Sequence, residues 1–118
     1  MRAWIAAAAI MAGFGGSALA QQGPVKVGIL NDQNSVYSSI TGMGSVAAAK
    51  LAIEDMGGTM FGKPIEIVYA DHAHKPDNGV NIARRWFDVE GVGAVFDIYS
   101  SGVSLAVQSL AEQKNKIL

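Results

Sequence analysis

Three short apolar runs, separated by segments with helical spacing, constrain the fold of this 118-residue chain more than any other feature. The runs cover residues 25–30, 65–70 and 93–98 and are rich in β-branched side chains. Apolar runs without a strict polar alternation are typical of strands that are buried on both faces. Because these runs alternate with helical segments, the sequence predicts an α/β fold, a parallel sheet with helices on both faces.

The segments between and after these runs place apolar residues on one face of a helix. The first covers residues 41–56, the second starts at residues 76–78 and closes at Gly91, and the third follows a serine cap at position 100 or 101. Residues 115–118 fall where a fourth strand is expected to begin, so the sheet is expected to have an open edge. The residues predicted to face the sheet are Val46, Ala49, Ile53, Met56, Val80, Ala83, Phe87, Val103, Val107 and Leu110.

The first twenty residues have the three parts of a secretory signal peptide. Arg2 gives a basic start, residues 3–14 are apolar, and Ala18 and Ala20 form the small-x-small pattern that signal peptidase reads. A membrane anchor is the alternative, but the apolar run is short and is interrupted by glycines. We therefore expect export from the cytosol with cleavage after Ala20.

The composition excludes several classes of function. Nine Lys and Arg residues oppose ten Asp and Glu residues, so the chain offers no electrostatic case for binding nucleic acid. It contains no cysteine, which excludes disulfides, thiolate metal sites and thiol nucleophiles. No glycine-rich dinucleotide motif follows the first strand, and no nucleophile elbow occurs. The sequence therefore predicts neither a cofactor nor an enzyme.

Two loops rich in uncharged polar side chains follow the first and third strands. If the first strand lies between the other two, both loops meet at the edge where open α/β sheets bind ligands. Ser100 and Ser101 then stand at a helix N-terminus, where N–H groups and the helix dipole favour a carboxylate. The alternative is that one serine only caps its own helix. Tyr37 offers an aromatic wall or packs within its loop, and Asp97 faces either the core or the crevice.

The segment from Asp71 to His74 suggests a metal site, because alternate histidines in an extended segment share a face. His72 and His74 lack a clear third ligand, however. With the first strand central, their loop also lies away from the crevice. We therefore expect a polar surface turn here and no metal.

Several stretches, taken in order, resemble the leucine/isoleucine/valine-type substrate-binding proteins of ABC transporters, which have the periplasmic-binding-protein type I fold. The ordered set begins at Val25 and covers nearly all of the mature chain. It comprises VKVGIL at 25–30, GSVAAAKLAIED at 44–55, GKPIEIV at 62–68, ADH at 70–72 with KPD at 75–77, ARRWF at 83–87, LAVQ at 105–108 and KNKI at 114–117. The resemblance implies strand order 2-1-3-4 and a two-lobed protein, with residues 21–118 as the N-terminal part of its first lobe.

The resemblance also implies a function. The protein is expected to be a periplasmic monomer that captures a small carboxylate, an amino acid or an aromatic or aliphatic organic acid, and delivers it to an ABC transporter permease. The alternatives are the ligand-sensing lobe of a receptor with the same fold, and an exported metal-dependent or flavodoxin-like enzyme that uses His72 and His74.

The family's ligand contacts can be carried over by position. The serine-rich segment after the third strand binds the ligand's carboxylate in the family, and here it falls on Ser100, with Ser101 and Gly102 beside it. The loop after the first strand supplies the ligand wall, which falls on Tyr37, Ser38 and Ile40. Relatives often carry Ser-Gly-Pro earlier in this loop, where this chain has Asn-Ser-Val at 34–36, so the wall is expected to differ.

Overall fold

The computed structural model describes residues 23–118, so the expected signal peptide and its cleavage site lie outside the described residues. Within residues 23–118, no helix is both long and apolar enough to cross a membrane. Strands and helices alternate as the sequence predicts. In chain order they are β1 (Val25–Asn31), α1 (Gly42–Asp55), β2 (Thr59–Met60), β3 (Lys63–Asp71), α2 (Pro76–Arg85), β4 (Val92–Phe96) and α3 (Ser101–Lys114).

The sheet has the order β2-β3-β1-β4. Strand β1 is central and pairs in parallel with β3 and with β4. Beyond β4, Ile117 forms a parallel bridge with Ala94, which is the start of the expected fourth parallel strand. The order 2-1-3-4 of the parallel strands is therefore confirmed.

Strand β2 is an addition that the sequence analysis missed. Its two residues pair antiparallel with the start of β3 around a turn at Phe61 and Gly62, whose φ angles are 53° and 73°. Two successive residues with positive φ are typical of the tight turns that join hairpin strands. The sequence signal was weak, because Phe61 stands at a turn position that Asn or Asp usually occupies.

The hydrophobic core lies between the sheet and the pair α2 and α3. Helix α3 contributes its three predicted apolar residues, which are all buried. Helices α2 and α3 approach closely at Gly79, where an added Cβ would lie only 2.4 Å from Val103. The buried cluster consists of Leu30, Ala83, Trp86, Phe87, Val92, Val95, Val103, Val107, Leu110 and Ala111.

Helix α2 continues into a π-helical turn over Trp86–Glu90 and ends at Gly91, with φ of 75°. The wider turn buries both Trp86 and Phe87, whereas Val89 in the same turn is 77% exposed. The Trp86 ring lies on the central strand at Gly28, where an added Cβ would come within 2.5 Å of the ring. Glycine at this position is therefore a packing requirement.

Helix α1 covers the opposite face of the sheet only in part. Gly42 and Val46 are its buried residues, and Met56, predicted to face the sheet, is exposed. Small side chains leave a groove of about 450 Å³ between this helix and the strands. The groove is lined by Val27, Ile29, Ser45, Ala48, Ala49, Ala52, Ile53, Met56, Met60, Ile65, Phe96 and Asp97.

The contact between Gly28 and Trp86 gives the first testable prediction. Gly28→Ala should lower the free energy of unfolding by roughly 1–3 kcal/mol, because the new methyl group overpacks a rigid ring. Urea denaturation of the full-length protein measures the change. Gly93→Ala is the matched control, since an added Cβ there meets only the Lys26 carbonyl oxygen at 3.9 Å. Equal effects of the two substitutions would contradict the packing role.

Candidate functional site

The carboxyl edge of the sheet is held together by the side chain of Asn31, the last residue of β1. Its amide nitrogen donates to the Gly42 carbonyl oxygen at 2.8 Å and to Asp97 Oδ2 at 2.9 Å. Asn31 is completely buried, and its Oδ1 has no hydrogen-bond partner within residues 23–118. This amide therefore connects the end of the central strand to the start of α1 and to the segment that leads into α3.

Asp32 organises the loop that follows β1. Its carboxylate accepts hydrogen bonds from the Ser35 N–H at 2.8 Å, the Ser35 hydroxyl at 2.6 Å and the Tyr37 N–H at 2.9 Å. Burial by itself raises the pKa of Asp32, but these hydrogen bonds and one from the Asn34 backbone outweigh burial and lower it to about 2. The carboxylate is thus ionised at neutral pH and fixes the backbone at Tyr37.

Ser100 stands at the N-cap position of α3 with an extended backbone, as the sequence predicts. Its side chain makes no capping hydrogen bond, although the residue is only 4% exposed. The first intrahelical bond runs from the Ser104 N–H to the Ser100 carbonyl oxygen at 2.8 Å. The helix therefore leaves the amides of Ser101, Gly102 and Val103 without intrahelical acceptors. The hydroxyl of this largely buried residue and several N–H donors lie together at this point.

The residues expected to form the ligand wall occupy the turns before α1. Tyr37 is half-buried, and its carbonyl oxygen accepts from the Ile40 N–H at 2.9 Å. The Ser38 hydroxyl is engaged by the Ser35 carbonyl oxygen at 2.8 Å, whereas the Ile40 side chain is 62% exposed. Tyr37 lies next to the serine segment, since its ring centroid is 5.0 Å from that of Tyr99.

His74 lies at this edge of the sheet, contrary to the expectation that its loop lies away from the crevice. Its ring centroid is 5.1 Å from that of Tyr37, with the two ring planes at 70°. Ala73 and His74 both have positive φ angles, 50° and 56°. These consecutive left-handed residues turn the chain after β3 back toward the β1 loop. Strand order alone missed this contact because it does not specify which way a loop turns.

His72 corrects the expectation of a polar surface turn, because it is completely buried. Its Nδ1 accepts from the His74 N–H at 3.0 Å, so the proton of the neutral ring lies on Nε2, which has no partner in the part of the chain that the structure describes. Burial is the main cause that lowers the pKa of His72 below its ordinary value, and the ring is neutral. Among residues 23–118 no group of three or more His, Cys, Asp or Glu side chains is placed to hold a metal ion.

The structure also decides the orientation of Asp97, which the sequence left open. The residue has a φ of 64°, and its carboxylate accepts from Asn31 and lines the groove under α1. Asp71, at the end of β3, is similarly occupied by the backbone N–H groups of Gln33 and Ala73 and by the Asn34 side chain. These carboxylates brace the loops of the crevice.

The hydrogen bonds of Asp32 predict a pH dependence of stability. The pKa of this carboxyl is about 2 in the folded chain and near 3.8 without these contacts, so folding favours the ionised form. The contribution is complete above about pH 5 and is lost as the pH falls through about 2. The difference in unfolding free energy between wild type and Asp32→Asn should therefore shrink over this range. The exposed Asp55→Asn serves as control, and a pH-independent difference would contradict the assignment.

The bond between Asn31 and Asp97 predicts energetic coupling. Asn31→Asp removes two donors and sets two carboxylates against each other, so it should lower the unfolding free energy by roughly 1–3 kcal/mol. Adding Asp97→Asn should restore part of this loss, because the new amide can donate to the new carboxylate. A double-mutant cycle from urea denaturation measures the coupling. Simple additivity of the two substitutions would contradict it.

Comparison with known proteins agrees with the observed fold. The family described as periplasmic binding protein matches residues 24–118. A branched chain amino acid ABC transporter periplasmic ligand-binding protein from Burkholderia xenovorans is 49% identical, with a TM-score of 0.76, over 78% of this chain and 25% of that chain. A periplasmic binding protein from Burkholderia mallei is 39% identical, with a TM-score of 0.77, over 79% and 25% of the two chains.

A third solved structure is a solute-binding protein of an ABC transporter from Rhodopseudomonas palustris, in complex with 3,4-dihydroxybenzoic acid. It is 33% identical, with a TM-score of 0.68, over 76% of this chain and 24% of that chain. The chain thus spans about a quarter of the length of these relatives. A search of curated protein sequences found no match. Because the family match runs from the start of β1 through Leu118 and the fold agrees with it, the chain belongs to the periplasmic binding protein family.

Proposed function

We propose that this chain forms the ligand-binding edge in the first lobe of an exported ABC transporter solute-binding protein that captures a small carboxylate for uptake. The observation that carries the proposal is the state of Ser100. Its side chain is buried at the N-terminus of a 14-residue helix, yet it does not cap that helix. The hydroxyl of this largely buried residue is not used by its own helix and can both donate to and accept from a ligand, which favours a role in binding.

The chemistry at Ser100 favours an anion. The amides of residues 101–103 have no intrahelical acceptors, and the positive end of the α3 dipole lies at the same place. Such a site binds a carboxylate through backbone N–H groups without a lysine or arginine partner. Ser101 and Gly102 contribute donors from the backbone, while Tyr37, Ser38 and Ile40 provide the adjoining wall.

The relatives support the same ligand chemistry. The Burkholderia xenovorans protein is described as a branched chain amino acid transporter component, and the Rhodopseudomonas palustris protein holds 3,4-dihydroxybenzoic acid. These two classes of solute differ in their side groups and share a carboxylate. A carboxylate site at Ser100 accounts for what is common to both.

The family match and the expected signal peptide support the remaining parts of the proposal. The protein is exported to the periplasm with cleavage after Ala20 and works there as a monomer. It delivers its solute to an ABC transporter permease, has no enzymatic activity and needs no cofactor.

Removal of the Ser100 hydroxyl tests this function. Ser100→Ala should weaken binding of a carboxylate ligand roughly ten- to a hundredfold, since a hydrogen bond to a charged group is lost. The unfolding free energy without ligand should stay within about 0.5 kcal/mol, because no capping bond is removed. Isothermal titration calorimetry on the full-length protein, with leucine, isoleucine, benzoate, 4-hydroxybenzoate and succinate as probes, measures the affinity.

Two controls sharpen the experiment. Ser109→Ala removes an exposed hydroxyl of the same helix, bonded to the Leu105 carbonyl oxygen at 3.2 Å, and should leave affinity unchanged. Benzamide and leucinamide test whether the carboxylate is needed, and they should not bind. Absence of binding by every carboxylate, or an unchanged affinity in Ser100→Ala, would overturn the proposal.

A further inference from the structure

Three aromatic rings from three different loops form one surface at the carboxyl edge of the sheet. Tyr37 follows β1, His74 follows β3 and Tyr99 follows β4. The rings of His74 and Tyr99 both meet that of Tyr37 edge to face, with centroid distances of 5.1 and 5.0 Å. We call these three side chains the ring cluster. It is held together in the arrangement that aromatic pairs prefer.

The ring cluster is open to solvent. Tyr37 is half-buried between its neighbours, while Tyr99 is 52% exposed and His74 is exposed. The ring cluster also lies next to the proposed carboxylate site, because Tyr99 immediately precedes Ser100 in the chain. A ligand whose carboxylate lies at the N-terminus of α3 therefore has an exposed aromatic surface beside it.

The position of His74 is fixed by two backbone N–H groups that donate hydrogen bonds to neighbouring side chains. The Ala73 N–H donates to Asp71 Oδ1 at 2.7 Å, and the His74 N–H donates to His72 Nδ1 at 3.0 Å. These bonds hold Ala73 and His74 in the left-handed backbone region, which residues other than glycine rarely adopt. The His74 ring is thereby kept against Tyr37, and among the described residues neither nitrogen of the imidazole ring has a hydrogen-bond partner.

From this arrangement we propose that the ligand is an aromatic carboxylate whose ring packs on the ring cluster, and that His74 selects ligands with a hydroxyl group on that ring. The inference rests on the proposed carboxylate-binding function and names the class of solute. The imidazole nitrogens can donate to or accept from a phenolic hydroxyl. The hydrocarbon side chain of a branched amino acid offers them no such partner.

Titration calorimetry of the full-length, ligand-free protein with leucine, benzoate, 3-hydroxybenzoate and 4-hydroxybenzoate tests the class of ligand. Benzoate should bind about tenfold or more tightly than leucine, and one of the hydroxybenzoates about three- to tenfold more tightly than benzoate. Tyr37→Leu should weaken benzoate binding about three- to tenfold. Tyr69→Leu is the matched control. It changes a half-exposed tyrosine of β3 that contacts Lys50 of α1, and it should leave benzoate binding unchanged.

His74→Phe tests the selection step, because it keeps a ring against Tyr37 and removes both nitrogens. It should abolish the preference for the hydroxybenzoate over benzoate, measured as the ratio of the two affinities in the same variant. The preference is a ratio within one variant, so a change in stability does not affect it. A preference that survives in His74→Phe would overturn the role of His74.

Different results would overturn the aromatic class of ligand and the proposed carboxylate-binding function. Tighter binding of leucine than of any aromatic carboxylate would overturn the aromatic class. If Ser100→Ala still weakened that leucine binding, the proposed carboxylate site would stand. Equal effects of Tyr37→Leu and Tyr69→Leu would overturn the role of the ring cluster. Absence of binding by all four probes would overturn the aromatic class and count equally against the proposed function.

Discussion

The side chain of Asn31 is the constraint on which the rest of the crevice depends. Both hydrogens of its buried amide are used, one by the Gly42 carbonyl oxygen and one by Asp97. The first bond closes the loop between β1 and α1, and the second holds the segment that leads to Ser100. Because Gly42 O and Asp97 are both acceptors, only one orientation of the amide fits. One residue at the end of the central strand thus sets the relative position of two loops that come from distant parts of the chain.

The structure separates the groups that stabilise the lobe from those left for a ligand. The carboxylates of Asp32 and Asp71 accept hydrogen bonds from the loops around them. The apolar core lies between the sheet and helices α2 and α3. The Ser100 hydroxyl and the first amides of α3 are not used in this way. Unused donors at a rigid helix terminus are oriented before a ligand arrives, which reduces the entropy lost on binding.

Sequence reasoning predicted the fold well because its signals are local and repeated. The apolar runs, the glycine that ends α2 and the serine before α3 each report backbone preferences of a few neighbouring residues. Sequence reasoning failed where the structure depends on the conformation of a single turn or on how completely side chains fill the space between a helix and the sheet. Strand β2 depends on positive φ at Phe61, and the groove under α1 depends on how little the small side chains of that helix fill. The same reasoning placed Ser100 at the start of α3 but misplaced His72 and His74.

By itself, the sequence determined the order of elements, the parallel sheet and the serine segment at a helix N-terminus, since periodicity and end signals are properties of short stretches. Only the tertiary structure decided that Asn31 joins two loops, that Asp97 turns toward α1, and that His74 meets Tyr37. These contacts link residues far apart in the chain. Their existence depends on the direction in which each loop leaves the sheet, which no local pattern encodes.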